Sequence, residues 1–321
     1  MRMTMLGTGN ANVTECYNTC FVLEDDAAGR EASGNRVASD ARGGEECRGT
    51  EHSCAAEPEH IPDCRKKGQE ERYFLVDAGG GNGILSQLAH AGIDRYEIRS
   101  MFISHRHTDH IMGGVWMMRN VLHGLKYGDF EGEASIYGNT EVIRILRGMA
   151  ELLFTPRDLA FIGPNLHLIE VADGDVHEIL GRRVMFFDTG STKSAMSGFR
   201  MELDRAGDGH AEPDARRVLV FCGDEPVRES TRRYAADAQW ALFEAFCLYE
   251  DAGRFRPYEK GHSTVKNACE LAQELGVRNL VLYHTEDTDL PRRRKRYTAE
   301  GQRYYHGNLY VPDDLDVIEL G

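Results

Sequence analysis

The sequence predicts an α/β fold, and two observations lead to it. Short apolar runs of strand length alternate with longer segments whose apolar residues recur at helical spacing, the pattern of strands feeding helices. Several apolar runs also stop abruptly at Asp or His, among them Val218-Leu219-Val220-Phe221 before Cys222-Gly223-Asp224 and Leu280-Val281-Leu282-Tyr283 before His284. With 41% hydrophobic residues, the 321-residue chain can build a real core. No apolar run reaches the roughly 18 residues of a membrane span, so none is expected.

In chain order, Met1 to Leu6 reads as a strand entering the turn Gly7-Thr8-Gly9. It lacks the apolar stretch of a signal peptide, so a cytoplasmic location is expected. Residues 18–23 and 72–76 read as strands. Between them, residues 24–71 carry thirteen acidic and seven basic side chains, with Val37 and Ile61 as the only large apolar ones. Such a segment buries too little to offset its ordering entropy, so a disordered polar insertion is expected. Its Cys47, His52, Cys54, His60 and Cys64 are zinc-binding types, but their spacing fits no standard knuckle.

Residues 83–91 read as a helix, 98–103 as a strand, and 111–123 as a helix whose Met112, Val115, Trp116, Met118 and Leu122 face a core. A strand at 134–137 and a helix at 140–154 follow. Strands are expected near 166–171, 183–188, 198–203 and 217–222. Helices are expected near 229–249, with a break, and at 264–275, then a strand at 278–283. Cys16, Cys20, Cys222, Cys247 and Cys269 lie mostly in apolar surroundings and read as free thiols.

The densest chemistry is His105-Arg106-His107-Thr108-Asp109-His110, three imidazoles and a carboxylate in six residues. Neutral imidazole and carboxylate are the ligands of zinc and similar ions. His105 and His107 are two apart, so an extended chain points both the same way. Asp109 and His110 follow where the chain is expected to bend, and can face a second ion.

The order of this motif, then Asp224, then His284 resembles the metallo-β-lactamase superfamily. Gly7-Thr8-Gly9 and Asp77 before Gly79-Gly80-Gly81 are similar to its early signatures, and Gly261-His262-Ser263-Thr264 resembles its ribonuclease Z branch. The resemblance implies a four-layer αββα sandwich made by one domain spanning the chain. It implies one or two divalent ions, zinc first, with iron or manganese also suited. Site one would take His105, His107 and Asp224, and site two Asp109, His110, Asp224 and His284.

A third site-one histidine is expected between 180 and 200, where the chain has none. Gly190 stands in the expected place, before Ser191-Thr192-Lys193. Site two is therefore expected to bind firmly and site one weakly.

The implied chemistry is hydrolysis of a phosphodiester or related ester by a water whose pKa the metal lowers from about 15.7 towards about 7. Asp109 would orient or deprotonate that water, and His262 would protonate the departing oxygen. Asp77 and Glu244 would stand behind these groups and orient them. Lys193 and Arg200 could hold an anionic, nucleotide-like substrate. A net charge of −14 and little room between Gly198 and Asp224 for a tRNA-binding arm disfavour tRNA. The basic run Arg292–Arg296 reads first as a solvated face. Cleavage of precursor tRNA stays open as an alternative, as do a homodimer and a metal-binding protein with weak or lost catalysis.

Overall fold

The computed structural model describes residues 1–25, 71–204 and 217–321. Among them, two seven-stranded sheets stack face to face with helices on both outer faces, the expected four layers. The first sheet has the order β14 (Val317–Glu319), β1 (Arg2–Gly7), β2 (Cys20–Glu24), β3 (Tyr73–Val76), β4 (Ile98–Ile103), β5 (Ala134–Gly138) and β6 (Leu166–Glu170). The second has the order β13 (Asn308–Tyr310), β12 (Asn279–Tyr283), β11 (Trp240–Glu244), β10 (Val218–Phe221), β9 (Ser197–Glu202), β8 (Arg182–Asp188) and β7 (Val176–Ile179). In each sheet an antiparallel half adjoins a parallel half.

Side chains on these strands alternate between two cores. On β3, Phe74 and Val76 enter the layer between the sheets, while Tyr73 and Leu75 pack under the outer helices. The inner layer is aromatic. Phe102 meets Phe186, Phe199 and Phe221 with ring centroids 5.0–6.5 Å apart. Met112, Val115, Trp116, Met118 and Leu122 of the helix Thr108–Tyr127 join the outer core, as their spacing predicts.

The expected elements change in two places. The expected helix at 229–249 is one short helix, Arg232–Ala235, followed by β11. Trp240-Ala241-Leu242-Phe243 is buried on both faces between parallel neighbours, and such a strand shows no alternation to set it apart from a buried helix. β7, β13 and β14 were not foreseen. They are edge strands of three or four residues, too short for a pattern.

The Arg292–Arg296 run lies on the helix Leu290–Gly301 and is largely neutralised. Arg292 pairs with Asp289, Arg294 with Asp313 and Asp316, and Arg296 with Asp289, Glu250 and Asp251. Arg293 is buried and bonds Thr8, Thr285 and Asp313.

The insertion begins after Asp25, since Glu24 completes β2; Cys47, His52, Cys54, His60 and Cys64 lie outside the described residues. No helix among the described residues is long and apolar enough to cross a membrane. Cys16, Cys20, Cys222, Cys247 and Cys269 are free thiols, all buried except the half-buried Cys16.

Candidate metal centre

The parallel halves of both sheets deliver polar residues from the carboxyl ends of their strands, where open α/β sheets place ligands. Asp77 follows β3, Ser104 and His105 follow β4, Asp224 comes three residues after β10, Glu244 ends β11, and His284 follows β12. Asp77 (φ 53°) and His284 (φ 58°) both adopt the left-handed region, uncommon outside glycine although Asp and His enter it more readily than most. His107 is extended and caps the helix Thr108–Tyr127, so Asp109 and His110 sit in its first turn rather than at a bend.

The motif and its distant partners meet. His110 Nε2 lies 3.3 Å from Asp109 Oδ2 and 3.4 Å from Asp224 Oδ2. His284 Nε2 lies 3.7 and 3.4 Å from the same oxygens. His105 Nε2 is 3.5 Å from Asp224 Oδ2, and His107 completes that side. These gaps are long for hydrogen bonds. They suit ligands that share one ion, because tetrahedral donors about 2.0–2.2 Å from zinc stand about 3.3–3.6 Å from each other.

The polar atoms facing inward support that fit. His105 Nε2, His110 Nε2, Asp224 Oδ1 and both nitrogens of His284 are buried without a hydrogen-bond partner. Leaving each so costs about 1–3 kcal/mol, which coordination would recover for all but His284 Nδ1, since one imidazole gives an ion one nitrogen. Asp109, His110, Asp224 and His284 can hold one ion, and His105, His107 and Asp224 a second.

Asp77 orients two of the imidazoles. Its Oδ2 is 2.9 Å from His110 Nδ1 and accepts from Ser104 Oγ at 2.8 Å. Ser104 Oγ in turn lies 3.0 Å from His105 Nδ1. Because the serine proton goes to Asp77, His105 donates to the serine oxygen. Both rings are thereby set with Nε2 turned towards Asp224, the usual outer support of a metal-ligating histidine.

Burial lowers the pKa of His105 to about 4, which keeps it neutral and able to ligate. Burial opposes the ionisation of Asp224, but His105, His110 and His284 outweigh it and hold the carboxyl well below its usual range.

His262 and Glu244 form the adjoining wall. His262 Nδ1 donates to Asp224 O at 3.0 Å, and its ring packs on Phe246 and His284, with centroids 5.0 and 5.2 Å apart. Glu244 Oε2 is buried, has no hydrogen-bond partner and lies 3.8 Å from His262 Nδ1. Its other oxygen accepts from Ser263 N, which holds the start of the helix Val265–Glu274 in place. Burial raises Glu244 to about 8, and lowers His262 to about 3 with help from the charges of His284 and Lys193.

Asn10, Asn12, His107, Asp109, Lys193, Lys260, His262 and His284 line a cavity of about 290 Å³ over this cluster. Asn10, Asn12 and Lys260 were not singled out in the sequence. The two asparagines follow the flagged Gly7-Thr8-Gly9 turn, which was their only signal. Ser104 was also missed, although it directly precedes the motif.

Two expected positions are corrected. Arg200 does not line this cavity; its Nη1 donates to Tyr234 O at 2.8 Å. Gly190 is exposed at φ 71°, and a Cβ there would face Ser230 and Arg228 rather than the imidazoles. The buried residue at that strand end is Thr189, whose hydroxyl donates to Met196 O. His177 packs on Tyr137 and Phe186, and His210 lies outside the described residues.

A sequence profile described as a beta-lactamase superfamily domain matches residues 72–285. The chain is 25% identical over 295 residues to ribonuclease Z of Brevibacillus brevis, covering 78% of this chain and 88% of that one. Among solved structures, the metallo-β-lactamase fold protein YhfI from Bacillus subtilis superposes with a TM-score of 0.66 at 14% identity, covering 99% and 98% of the two chains. The short form of human tRNase Z gives 0.61 at 18% identity over the whole of both. Sharing the superfamily profile over most of its length and the fold throughout, the chain belongs to the metallo-β-lactamase superfamily and is ribonuclease Z-like.

Proposed function

We propose that the protein is a metal-dependent hydrolase of phosphodiesters or closely related esters, with His262 as proton donor and Asp109 as the carboxylate that orients the attacking water. The observation that carries this reading is the juxtaposition of Asp109, His110, Asp224 and His284 with His262 in one cavity wall. A divalent ion, zinc first, supplies Lewis acidity when bound: it eases deprotonation of a water and offsets charge on the ester oxygens.

The chain's own residues do the rest. Lys193 and Lys260 line the cavity with positive charge, Lys193 sharing its own with Glu225 at 3.6 Å, and favour an anionic centre there. Asn12 adds a polar side chain to the lining, while Asn10 is held by Thr285 O and Asn12 N. At about 290 Å³ the cavity sits at the small end of ligand sites, so it takes the ester centre and little more.

His262 is neutral at rest. An anionic ester beside it favours its protonated form, so the acid is loaded as substrate arrives. Asp224 O holds the ring through Nδ1, and Glu244 stands 3.8 Å behind and fixes the backbone of Ser263 next to it.

The name of the Brevibacillus brevis relative, a ribonuclease, favours a second reading, RNA cleavage, of which the precursor tRNA alternative is the specific form. The net charge of −14 and the neutralised Arg292–Arg296 helix weigh against it. Hydrolysis of bis-p-nitrophenyl phosphate with Zn²⁺ or Mn²⁺ tests the first reading. Asp109→Ala should abolish it. His262→Ala should lower turnover by roughly 10²–10⁴-fold with metal content unchanged. Loss of metal in His262→Ala would make it a ligand instead. Strongly salt-dependent cleavage of precursor tRNA, without turnover of the small ester, would favour the second reading.

A further inference from the structure

The two halves of the metal centre are not built alike, and the difference lies at Met196. An antiparallel bridge pairs His105 with Met196, and Ser197 N donates to Ser104 O at 3.0 Å. That hydrogen bond makes His105 and Met196 a non-hydrogen-bonded pair, the narrow kind whose side chains stand close together on one face. The Met196 sulfur lies 2.3 Å from where a Cβ on Gly223 would be, so it rests against the residue preceding Asp224. Met196 is buried, with its backbone paired to His105 and its sulfur against Gly223.

Zinc sites are built from thiolate, imidazole and carboxylate. A neutral thioether is a soft donor that binds weakly and at long range, chiefly to copper. Among the described residues, the His105–His107 side therefore has two imidazoles, a share of Asp224 and a thioether neighbour. The other side has two imidazoles and two carboxylates. The Asp25 and Glu71 ends of the insertion lie at the far ends of β2 and β3 from Asp77.

We propose that the centre loads in a fixed order: the Asp109–His110–His284 side takes one ion tightly, and the His105–His107 side takes a second weakly because Met196 stands where another strong donor would be needed. The proposal rests on reading this cluster as a metal centre. Its consequence is a protein that holds one ion at rest and gains the second only when free metal is plentiful.

Metal-free protein is reloaded with Zn²⁺, desalted and assayed by elemental analysis, with calorimetric titration for both affinities. One ion per chain should survive desalting, with the second at least about 10-fold weaker, the scale on which even outer hydrogen-bond partners tune affinity. His107→Ala should keep the retained ion, His284→Ala should lose it, and Met196→Leu should behave as the parent. Met196→His should raise retention towards two. Two equally tight ions in the parent, or equal loss in His107→Ala and His284→Ala, would overturn the loading order. Retention of one ion in Met196→His would overturn the role given to Met196. No retained ion in any form would instead overturn the metal-centre reading.

Discussion

Asp77 does not line the cavity, yet two imidazoles depend on it. It accepts from His110 directly and from His105 through Ser104, so one carboxylate sets the ring orientation on both sides of Asp224. Asp77→Asn should lower metal affinity about 10–100-fold by chelator competition. Ser104→Ala should cost less, because only the His105 side loses its support. Equal affinity in Asp77→Asn and the parent would remove Asp77 from the centre. Asp77 was legible in the sequence as a strand-end carboxylate before glycines. The relay through Ser104 was not, because one hydroxyl beside a histidine is no pattern until its partner 27 residues away is placed.

At the scale of elements, the helix Thr108–Tyr127 must dock closely for Asp109 and His110 to reach the centre. Gly113 makes this possible: a Cβ there would fall 1.7 Å from Ala78 O, while Gly113 N donates to Gly79 O at 2.9 Å. Gly113→Ala forces the helix and the Asp77 loop apart. It should destabilise the protein by about 1–3 kcal/mol and lower retained metal, measured by thermal melting and elemental analysis. An unchanged melting curve would show that the loop yields without cost.

The short helix Pro156–Leu159 is tied by a reciprocal cap of Thr155 and Asp158, and Asp158 also accepts from Lys126 at 2.9 Å. The Thr155 and Lys126 hydrogen bonds hold the Asp158 carboxyl at about 2. The unfolded value is about 3.9. Stability from this group is thus full above about pH 4 and is lost as pH falls through the folded value. Asp158→Asn should cost about 1 kcal/mol near pH 6 by denaturant titration. Its melting curve should approach the parent's as pH falls below about 2, and a gap independent of pH would contradict the assignment. The cap was readable as Thr-x-x-Asp; the tie to Lys126 depends on how two helices pack.

For the whole molecule, the sandwich closes without residues 26–70. β2 and β3 are antiparallel neighbours, with Glu24 opposite Tyr73 and Asp25 N donating to Arg72 O. Replacing residues 27–69 with a five-residue turn should leave fold and activity intact. By loop-closure entropy it should stabilise the chain by up to about 2 kcal/mol. Metal content should be unchanged. Loss of one ion per chain would place a metal among Cys47, His52, Cys54, His60 and Cys64.

By itself the sequence determined the α/β class, most strand and helix positions and the dense His105–His110 motif, which are written in local periodicity and residue type. The ligand set that adds Asp224 and His284 was what the resemblance to the superfamily implied. Only the tertiary structure decided that residues 240–244 are a strand, since a stretch buried on both faces shows no alternation. It alone turned position 190 away from the centre and set Met196 beside His105, because side-chain direction at a strand end depends on pairing with distant residues. It also decided that the arginine run is spent on acidic partners, since charge along a chain does not reveal which charges it meets in space.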